Sequence, residues 1–534
     1  MNTKVGVIPG LQQVVTRDVR RVTSASKDAG EHLAMRQSRE LVIALSGPIG
    51  AGVPEVQVAL NAVLAQRGYG CVHVKVSSLF EEHADRLGTT TNESAEAVIT
   101  GSDPFVRISN FQTLGNELRK RLGDDMGAQL AIKHISIHRT VEHAGVPLDQ
   151  IEPTRTVYII DQLKHPREVT LLRAIYGEMF FMVGVLSSYE RRKAFLSEQG
   201  MTRPEAERLI DRDRKESDDN GQQLDKTLHH ADFFVSHSRQ NIAGLRESLT
   251  RFVELIHGQA GHSPNAEERG MFAAYNAGLR SACLSRQVGA SITDASGNVI
   301  STGCNDVPRA GGGLYEPGPD DRRCAVTFAY CHNDKHKNIL RDQINRELVN
   351  VGVSGDMAQK AVEAIAKNTR VKDLIEFSRA VHAEMDAIIG VARTGVAGIQ
   401  GSTLFTTVYP CHNCARHIVA AGVSRVVFIE PYEKSLASQL HNDSIFQESE
   451  AAVDAPNMQL VQFVHFEGVS PHKFSRLFHA QQPRKDKSGK AIESKLAGDK
   501  RYSEYLDDYI KLEFRVVERL DQVEGGRPSP PTAA

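Results

Sequence analysis

The feature that most limits what this chain can fold into is a pair of short segments, His382-Ala383-Glu384 and Pro410-Cys411-His412-Asn413-Cys414. His382, Cys411 and Cys414 are the ligand set that a catalytic zinc takes when it keeps its fourth position for water. A fold is admissible only if it brings His382 and Cys411, 29 residues apart, to one point. Glu384 stands just past the histidine, where it can reach such a water without being a ligand itself. The pattern therefore reads as metal-assisted hydrolysis in which a carboxylate moves protons. H-x-E alone is almost uninformative, and C-x-x-C alone is common in structural zinc knuckles. Here each follows a strand pattern and opens a helical one, and that shared context gives the pair its weight.

At 534 residues the chain is too long for one ordinary core, and two domains of roughly 200 residues with tails are the natural expectation. Hydrophobic residues make up 40% and charged residues 24%, a soluble globular composition. A net charge of -2 and a pI near 6.9 exclude the whole-protein basic field that draws in nucleic acid polymers. Met1 to Gly10 lacks the charged, apolar and small-residue regions of a secretory signal. The most apolar long run, Thr170 to Leu186, contains Arg173 and Glu178 and is short for a membrane span, so it reads as a buried helix and strand. Seven cysteines, including a C-x-x-C, without an export signal point to a reducing cytoplasm and to metal ligation rather than disulfides.

Residues 1–36 are polar and unpatterned and read as a tail. Glu40 to Ser46 is an apolar run of the length of a buried parallel strand. It leads into Gly47-Pro48-Ile49-Gly50-Ala51-Gly52-Val53-Pro54 and a helical pattern from Glu55 to Arg67 closed by Gly68, the context that a P-loop requires. Gly47 and Gly52 match G-x-x-x-x-G-K-[ST], but Val53 and Pro54 stand where the lysine and hydroxyl belong. Those two groups contact the terminal phosphates and hold magnesium, so phosphoryl transfer is not expected. The backbone at Gly47, Gly50, Ala51 and Gly52, with the helix start, could still hold a phosphate.

Strands at Thr156 to Ile160 and Phe180 to Val185 flank a helical pattern from Glu168 to Gly177. An arginine-dense stretch follows (Arg191, Arg192, Arg203, Arg208, Arg212, Arg214), then a strand at Ala231 to Ser236 and a helix from Asn241 to His257. In this order residues 38–257 resemble the nucleoside and nucleotide kinases of the P-loop class, in which an arginine-rich lid closes over the phosphates. A solvated helix face is the plainer reading of the arginines. The expected role is a nucleotide-binding or regulatory module rather than a working kinase.

Ser263-Pro264-Asn265 breaks the pattern and marks a domain boundary. Asn265 with Glu268 predicts a capping box and a helix to about Cys283. Gln287 to Ile292 and Val299 to Cys304, around an Asp294 to Asn298 turn, read as a β-hairpin. A loop rich in glycine and proline, Pro308 to Asp320, precedes a polar helical insertion up to Phe377. The first zinc segment lies on a helix from Val381 to Arg393 stopped by Gly395, and a strand follows at Ser402 to Val408. Pro410 is expected to open the second helix, which Gly422 ends, with Cys411 and Cys414 on one face of its first turn. The positive end of a helix lowers a thiol pKa, and zinc binds the thiolate. Ser424 to Ile429 returns as a strand.

Gln287-Val288-Gly289-Ala290, Gly303-Cys304-Asn305-Asp306 and the two zinc segments resemble, in order, the motifs of deoxycytidylate deaminases in the cytidine deaminase superfamily. H-x-E with P-C-x-x-C is the signature of zinc-dependent nucleobase deaminases. The likeness spans about residues 265–480. With the kinase-like first half, the chain resembles the two-domain bacterial deoxycytidine nucleotide deaminases of antiphage defence, which drain dCTP and dCMP and also have an imperfect P-loop. The resemblance implies an α/β fold class: a P-loop kinase-like parallel-sheet domain (37–260), then a cytidine deaminase-like three-layer α/β/α domain (265–480), flanked by the tail (1–36) and a C-terminal extension (481–534).

It also implies a zinc-dependent hydrolase that turns dCTP and/or dCMP into deoxyuridine nucleotides, with Glu384 catalytic and Zn2+ on His382, Cys411 and Cys414. Asn305 is expected at the deoxyribose and Tyr409 at the substrate, with Phe474, Phe478, Arg484 and Lys485 as further pocket candidates, for which ordinary core packing and a solvated basic tail are equally good readings. Cys304 stands where the family usually has tyrosine. Cys324, Cys331, His332 and His336 suit a second, structural zinc of the kind these deaminases often carry, with buried free cysteines the plain alternative. Expected partners are a deoxycytidine nucleotide, a regulatory nucleotide at the first half, an inhibitory RNA and further copies of the chain, and no membrane. Two other readings are a deaminase of tRNA or single-stranded DNA and a non-catalytic nucleotide sensor. An aromatic content of 6% with no tryptophan argues against a stacking channel for a strand. The intact Glu384 argues against the sensor.

Overall fold

Apolar runs without polar interruption form the middle of a sheet only where both faces are covered, and three such runs build the centre of the first half. The computed structural model describes residues 36–84, 103–147, 150–214, 221–236, 242–259, 261–395, 398–431, 435–447, 460–480, 485–490 and 504–524. The expected tail apart from Arg36, the residues Asn241 and Arg484, the Arg214 side chain and much of the C-terminal extension lie outside the described residues.

Strands β1 (Leu41–Ser46), β2 (Gly70–Lys75), β3 (Thr156–Asp161), β4 (Phe180–Leu186) and β5 (Phe233–Ser236) lie parallel in the order β5-β4-β1-β3-β2. β1, β3 and β4 are buried at every residue. Helices α1 (Val53–Gln66), α2 (Pro104–Leu122), α3 (Met126–Glu142), α4 (Pro166–Tyr176), α5 (Tyr189–Glu198), α6 (Arg203–Arg214) and α7 (Ile242–Ile256) accompany them. α1 begins at Val53 rather than Glu55, with Pro54 in the first turn, where a missing N–H costs nothing. β2, α2 and α3 are elements beyond those expected from the sequence.

The second half starts with α8 (Ala266–Gly278), opened by the expected capping box: Asn265 Oδ1 accepts from Glu268 N at 2.8 Å, and Asn265 N donates to Glu268 Oε2 at 2.9 Å. α8 ends at Gly278, short of the expected Cys283. The sheet comprises β6 (Gly289–Thr293), β7 (Val299–Cys304), β8 (Thr403–Val408), β9 (Arg425–Glu430), β10 (Ile445–Gln447) and β11 (Val461–His465), in the order β10-β11-β9-β8-β6-β7. β6 and β7 form the predicted hairpin, β6 is antiparallel to β8, and the rest are parallel. The insertion folds as α9 (His332–Asn350) and α10 (Gly355–Asn368), packed on each other. α11 (Ala383–Thr394) and α12 (His412–Ala420) carry the two zinc segments.

Successive strand residues face opposite ways, and this puts the helices in two layers. Leu404 of β8 joins Ala387 of α11 and Ala415 and Ile418 of α12 in one core cluster. Phe405 faces α8, so close to Gly270 that a Cβ there would lie 2.4 Å from its ring.

The two halves are tied together. β12 (Gly468–Val469) returns to pair antiparallel with β5, extending the first sheet. Glu268, 1% exposed, does more than cap α8: it takes both ends of the Arg251 guanidinium at 2.7 Å and accepts from Val469 N at 2.9 Å. The short α13 (Phe474–Phe478) follows, and α14 (Leu506–Glu524) packs on α3 and α4. Among the described residues, no helix is long and apolar enough to cross a membrane.

Candidate metal centre

His382 is the residue that begins α11, with extended backbone (φ -81, ψ 155), and Gly395 ends the helix in the left-handed conformation, as its sequence position suggests. α11 lies directly on the hairpin. A Cβ on Gly303 would come within 2.3 Å of Ala383 O and 2.4 Å of Ala387 N, so only glycine permits this approach. Two further bonds, between residues far apart in the chain, set the helix start. Val381 N–H donates to Asp306 O at 3.0 Å, and Cys304 N–H donates to Asp386 Oδ2 at 3.1 Å.

The second helix starts one step later than expected. Pro410 lies outside it, and Cys411 caps it, its sulfur accepting the Cys414 N–H at 3.4 Å. The ligand sulfur itself thus satisfies an otherwise unpaired first-turn donor. This cap places both sulfurs over the positive end of α12.

The two helix starts meet. His382 Nδ1 is 3.3 Å from Cys411 Sγ and 3.3 Å from Cys414 Sγ. The three ligand atoms lie within 4.8 Å of one another, the one such group of three or more found among the described residues. Two buried thiols and a half-buried imidazole form a donor set that suits zinc with an open fourth position. Glu384, 3% exposed, sits beside this set and accepts from Cys414 Sγ at 3.4 Å. A hydrogen bond from Cys414, then the His382 imidazole, pulls the Cys411 thiol down to about 4. The same bond pushes Cys414 well up, and Cys411 raises His382 to about 9. Burial raises Glu384.

The other expected residues fare differently. Asn305 is near the site, but its amide is used by the main chain: Oδ1 accepts from Val288 N at 2.7 Å and Nδ2 donates to Arg286 O at 2.8 Å. In this arrangement it fastens the hairpin to the preceding loop. Tyr409 packs into the core of the second sheet, edge-on to Phe428, and its hydroxyl accepts from Gln447 Nε2 at 2.8 Å. Phe474 stacks on Phe272 of α8 at 4.1 Å and Phe478 lies under Arg251 of α7, so both brace the junction of the two halves. Lys485 is exposed.

Of the four proposed ligands for a second zinc, only Cys324 Sγ and His332 Nδ1 come together, at 3.6 Å. Neither Cys331 nor His336 makes a third within ligating distance. The expected metal analysis is therefore one zinc per chain, lost in Cys411→Ser and unchanged in Cys324→Ser. Two zincs per chain, falling to one in Cys324→Ser, would instead put a second ion on that cluster.

In the glycine loop of the first half, Gly50 and Gly52 take the left-handed conformation, at φ +80 and +81. One of the loop's N–H groups is already taken. Ile49 N–H donates to Asp213 Oδ2 at 2.7 Å, and Lys164 Nζ joins Asp213 Oδ1 at 2.9 Å to Gly47 O at 2.8 Å. Asp213 is 2% exposed. A carboxylate of the chain thus takes one N–H of the loop, and Lys164 brings an ammonium to the loop that lacks one in its motif. The arginines do not form an open lid. Arg212 donates to Ser109 O and Thr113 Oγ1 of α2, Arg203 pairs with Glu207, and Arg208 covers the Phe105 ring.

Residues 264–430 match the family model described as the cytidine and deoxycytidylate deaminase zinc-binding region. Over 162 residues the chain is 32% identical to the deoxycytidylate deaminase of Enterobacteria phage T2, covering 30% of this chain and 78% of that protein. It is 31% identical over 162 residues to the deoxycytidylate deaminase of Enterobacteria phage T4, covering 30% and 76%. A crystal structure of the dCMP deaminase from cyanophage S-TIM5 with dCMP and dUMP aligns at 18% identity and a TM-score of 0.23, over 39% of this chain and 100% of that one, a score too low to argue from.

Proposed function

This chain belongs to the cytidine and deoxycytidylate deaminase family, and from that premise we propose that it hydrolyses the amino group of deoxycytidine nucleotides, dCMP and/or dCTP, giving a deoxyuridine nucleotide and ammonia. The observation that carries this reading is the meeting of His382, Cys411 and Cys414 within 4.8 Å, with the buried Glu384 alongside. His382, Cys411 and Cys414 would hold a zinc ion, which when bound would supply a Lewis acid able to make a water acidic near neutral pH. Glu384 takes the two protons of the water that adds to C4 of cytosine in turn, passing the first to N3 and the second to the departing amine, so that water and cytosine become uracil and ammonia. The burial of Glu384 keeps bulk solvent from competing for that proton. Asn305, the residue expected at the deoxyribose, is held in place by its bonds to Arg286 and Val288.

The first half, in this proposal, is a regulatory nucleotide-binding domain (37–260) rather than a kinase. Val53 and Pro54 in place of the lysine and hydroxyl, and the Asp213 carboxylate on Ile49 N–H, support that reading. The deaminase domain covers 265–480. Draining the deoxycytidine nucleotide pool during phage infection is the role that the two-domain resemblance favours. Chromatography of dCMP, dCTP, CMP and a cytosine-containing oligonucleotide after incubation with zinc-loaded protein tests the substrate. Conversion of dCMP or dCTP with ammonia release is expected. Conversion of the oligonucleotide alone would make the chain a polymer deaminase, and binding without ammonia would make it a sensor.

A further inference from the structure

A cavity of about 590 Å³ lies between the two halves. It is within the ~300–1,000 Å³ range of small-molecule sites. It is separate from the metal centre: Thr407, which lines it, is on the Phe405 face of β8, whereas the zinc helices pack on the Leu404 face. The first half contributes Arg173, His229 and His230, and the segment after β12 contributes His472, Lys473 and Arg476.

Six nitrogen-bearing side chains thus converge, and three of them, Arg173, Lys473 and Arg476, carry a fixed positive charge. Asp232, wholly buried, is shared among three: Arg173 at 2.8 Å, His472 at 3.2 Å and Lys473 at 3.7 Å. Its other oxygen accepts from Met182 N at 2.8 Å. Arg476 pairs with Glu178. His229 meets Glu430 at 3.2 Å, but burial brings the imidazole down to about 4 and the carboxyl up to about 7, so the contact is a hydrogen bond more than an ion pair. Glu430 is in addition held by Arg286. Arg173 also donates to His230 O at 2.6 Å; a guanidinium has five donors and an ammonium three, so Arg173 and Lys473 can bond a ligand while keeping these contacts. Tyr275 and Ile429 supply an apolar wall.

We propose that this cavity binds a phosphorylated small molecule of nucleotide size, its phosphates on Arg173, Lys473 and Arg476 and its apolar part against Tyr275. The ligand would touch both halves and the strand that leads to Cys411, which makes it a coupling element between them. The site does not depend on the deaminase reading, because binding alone reports it.

The test is isothermal titration of the full zinc-loaded chain with inorganic triphosphate and with ADP. Saturable binding of at least one of them is expected, weakened about tenfold or more in the Arg173→Gln/Lys473→Gln variant, the loss expected for charge-assisted hydrogen bonds. Arg173 touches a buried carboxylate, so Arg476→Gln, at a side chain 37% exposed, provides a second variant in which the fold is not at risk, again with weaker binding. In the unaltered protein, hydrogen exchange is expected to slow on ligand addition both at residues 228–232 and at residues 470–476. Absence of binding, binding indifferent to both variants, or protection confined to the glycine loop at residues 47–52 would each overturn the assignment.

Discussion

Replacing Glu384 by glutamine is expected to lower deamination by at least roughly 10²–10⁴-fold, the range for a lost general acid–base group, while zinc content stays that of the parent chain. Glutamine keeps the shape of the side chain and can still donate and accept hydrogen bonds, but it cannot take up and return a proton at neutral pH. Glu384 lies outside the three-residue ligand group and contacts it only through Cys414 Sγ, so the ion has no reason to leave with the charge. Initial rates on dCMP and dCTP, with zinc measured on the same preparations, separate the outcomes. Turnover near the parent rate would remove Glu384 from proton transfer, and loss of zinc along with activity would make it a ligand or a prop for one.

Arg139→Met is expected to cost about 3–5 kcal/mol of stability, the penalty for breaking a buried ion pair by removing one partner. The Arg139 guanidinium is the counter-charge of two carboxylates from distant parts of the chain. It donates to Glu40 at 3.0 and 2.7 Å and to Glu513 of α14. Glu40 is 2% and Glu513 0% exposed, and Tyr509 adds a bond to Glu40 at 2.8 Å. Without the arginine, two carboxylates are left in a dry interior. The pH dependence follows in sign. Burial already holds Glu513 above its usual range. A carboxyl whose folded pKa is raised is most compatible with folding when protonated, and that compatibility is lost as pH rises through the folded value. The deficit of Arg139→Met is therefore expected to be larger at pH 8 than at pH 5. Denaturant titrations of both proteins at the two pH values check it. Equal stability would show the network to be replaceable by apolar packing, and a deficit independent of pH would point to lost packing rather than stranded charge.

What could be read from the residues alone was local. Zinc ligands, a capping box and a helix-ending glycine each act within a few positions, so His382, Cys411 and Cys414, the Asn265–Glu268 cap and Gly395 were legible in the sequence, as was the hairpin of β6 and β7. Even there, one local rule lost to another. Proline is favoured at the start of a helix, yet the Cys411 sulfur captured the first-turn donor and became the cap, leaving Pro410 outside. The family resemblance extended to residues whose role depends on where their side chains point, and this is where it met the structure least well. Tyr409 turns into the core, and Phe474 and Phe478 brace the junction of the halves.

The residues alone carried the local chemistry: a His-Cys-Cys set with a carboxylate beside it, and a glycine-rich loop without the lysine and hydroxyl of a P-loop. What stands next to each is a matter of the tertiary fold. Ile49 and Asp213, 164 residues apart, meet at one N–H of that loop, and Tyr509 reaches Glu40 across 469 residues. The return of β12 to the first sheet and the basic cavity beside it are of the same kind. Helical and strand periodicity reports which face of an element is buried, and it says nothing about which distant partner covers that face. Such contacts are selected by packing in three dimensions, so no spacing along the chain announces them.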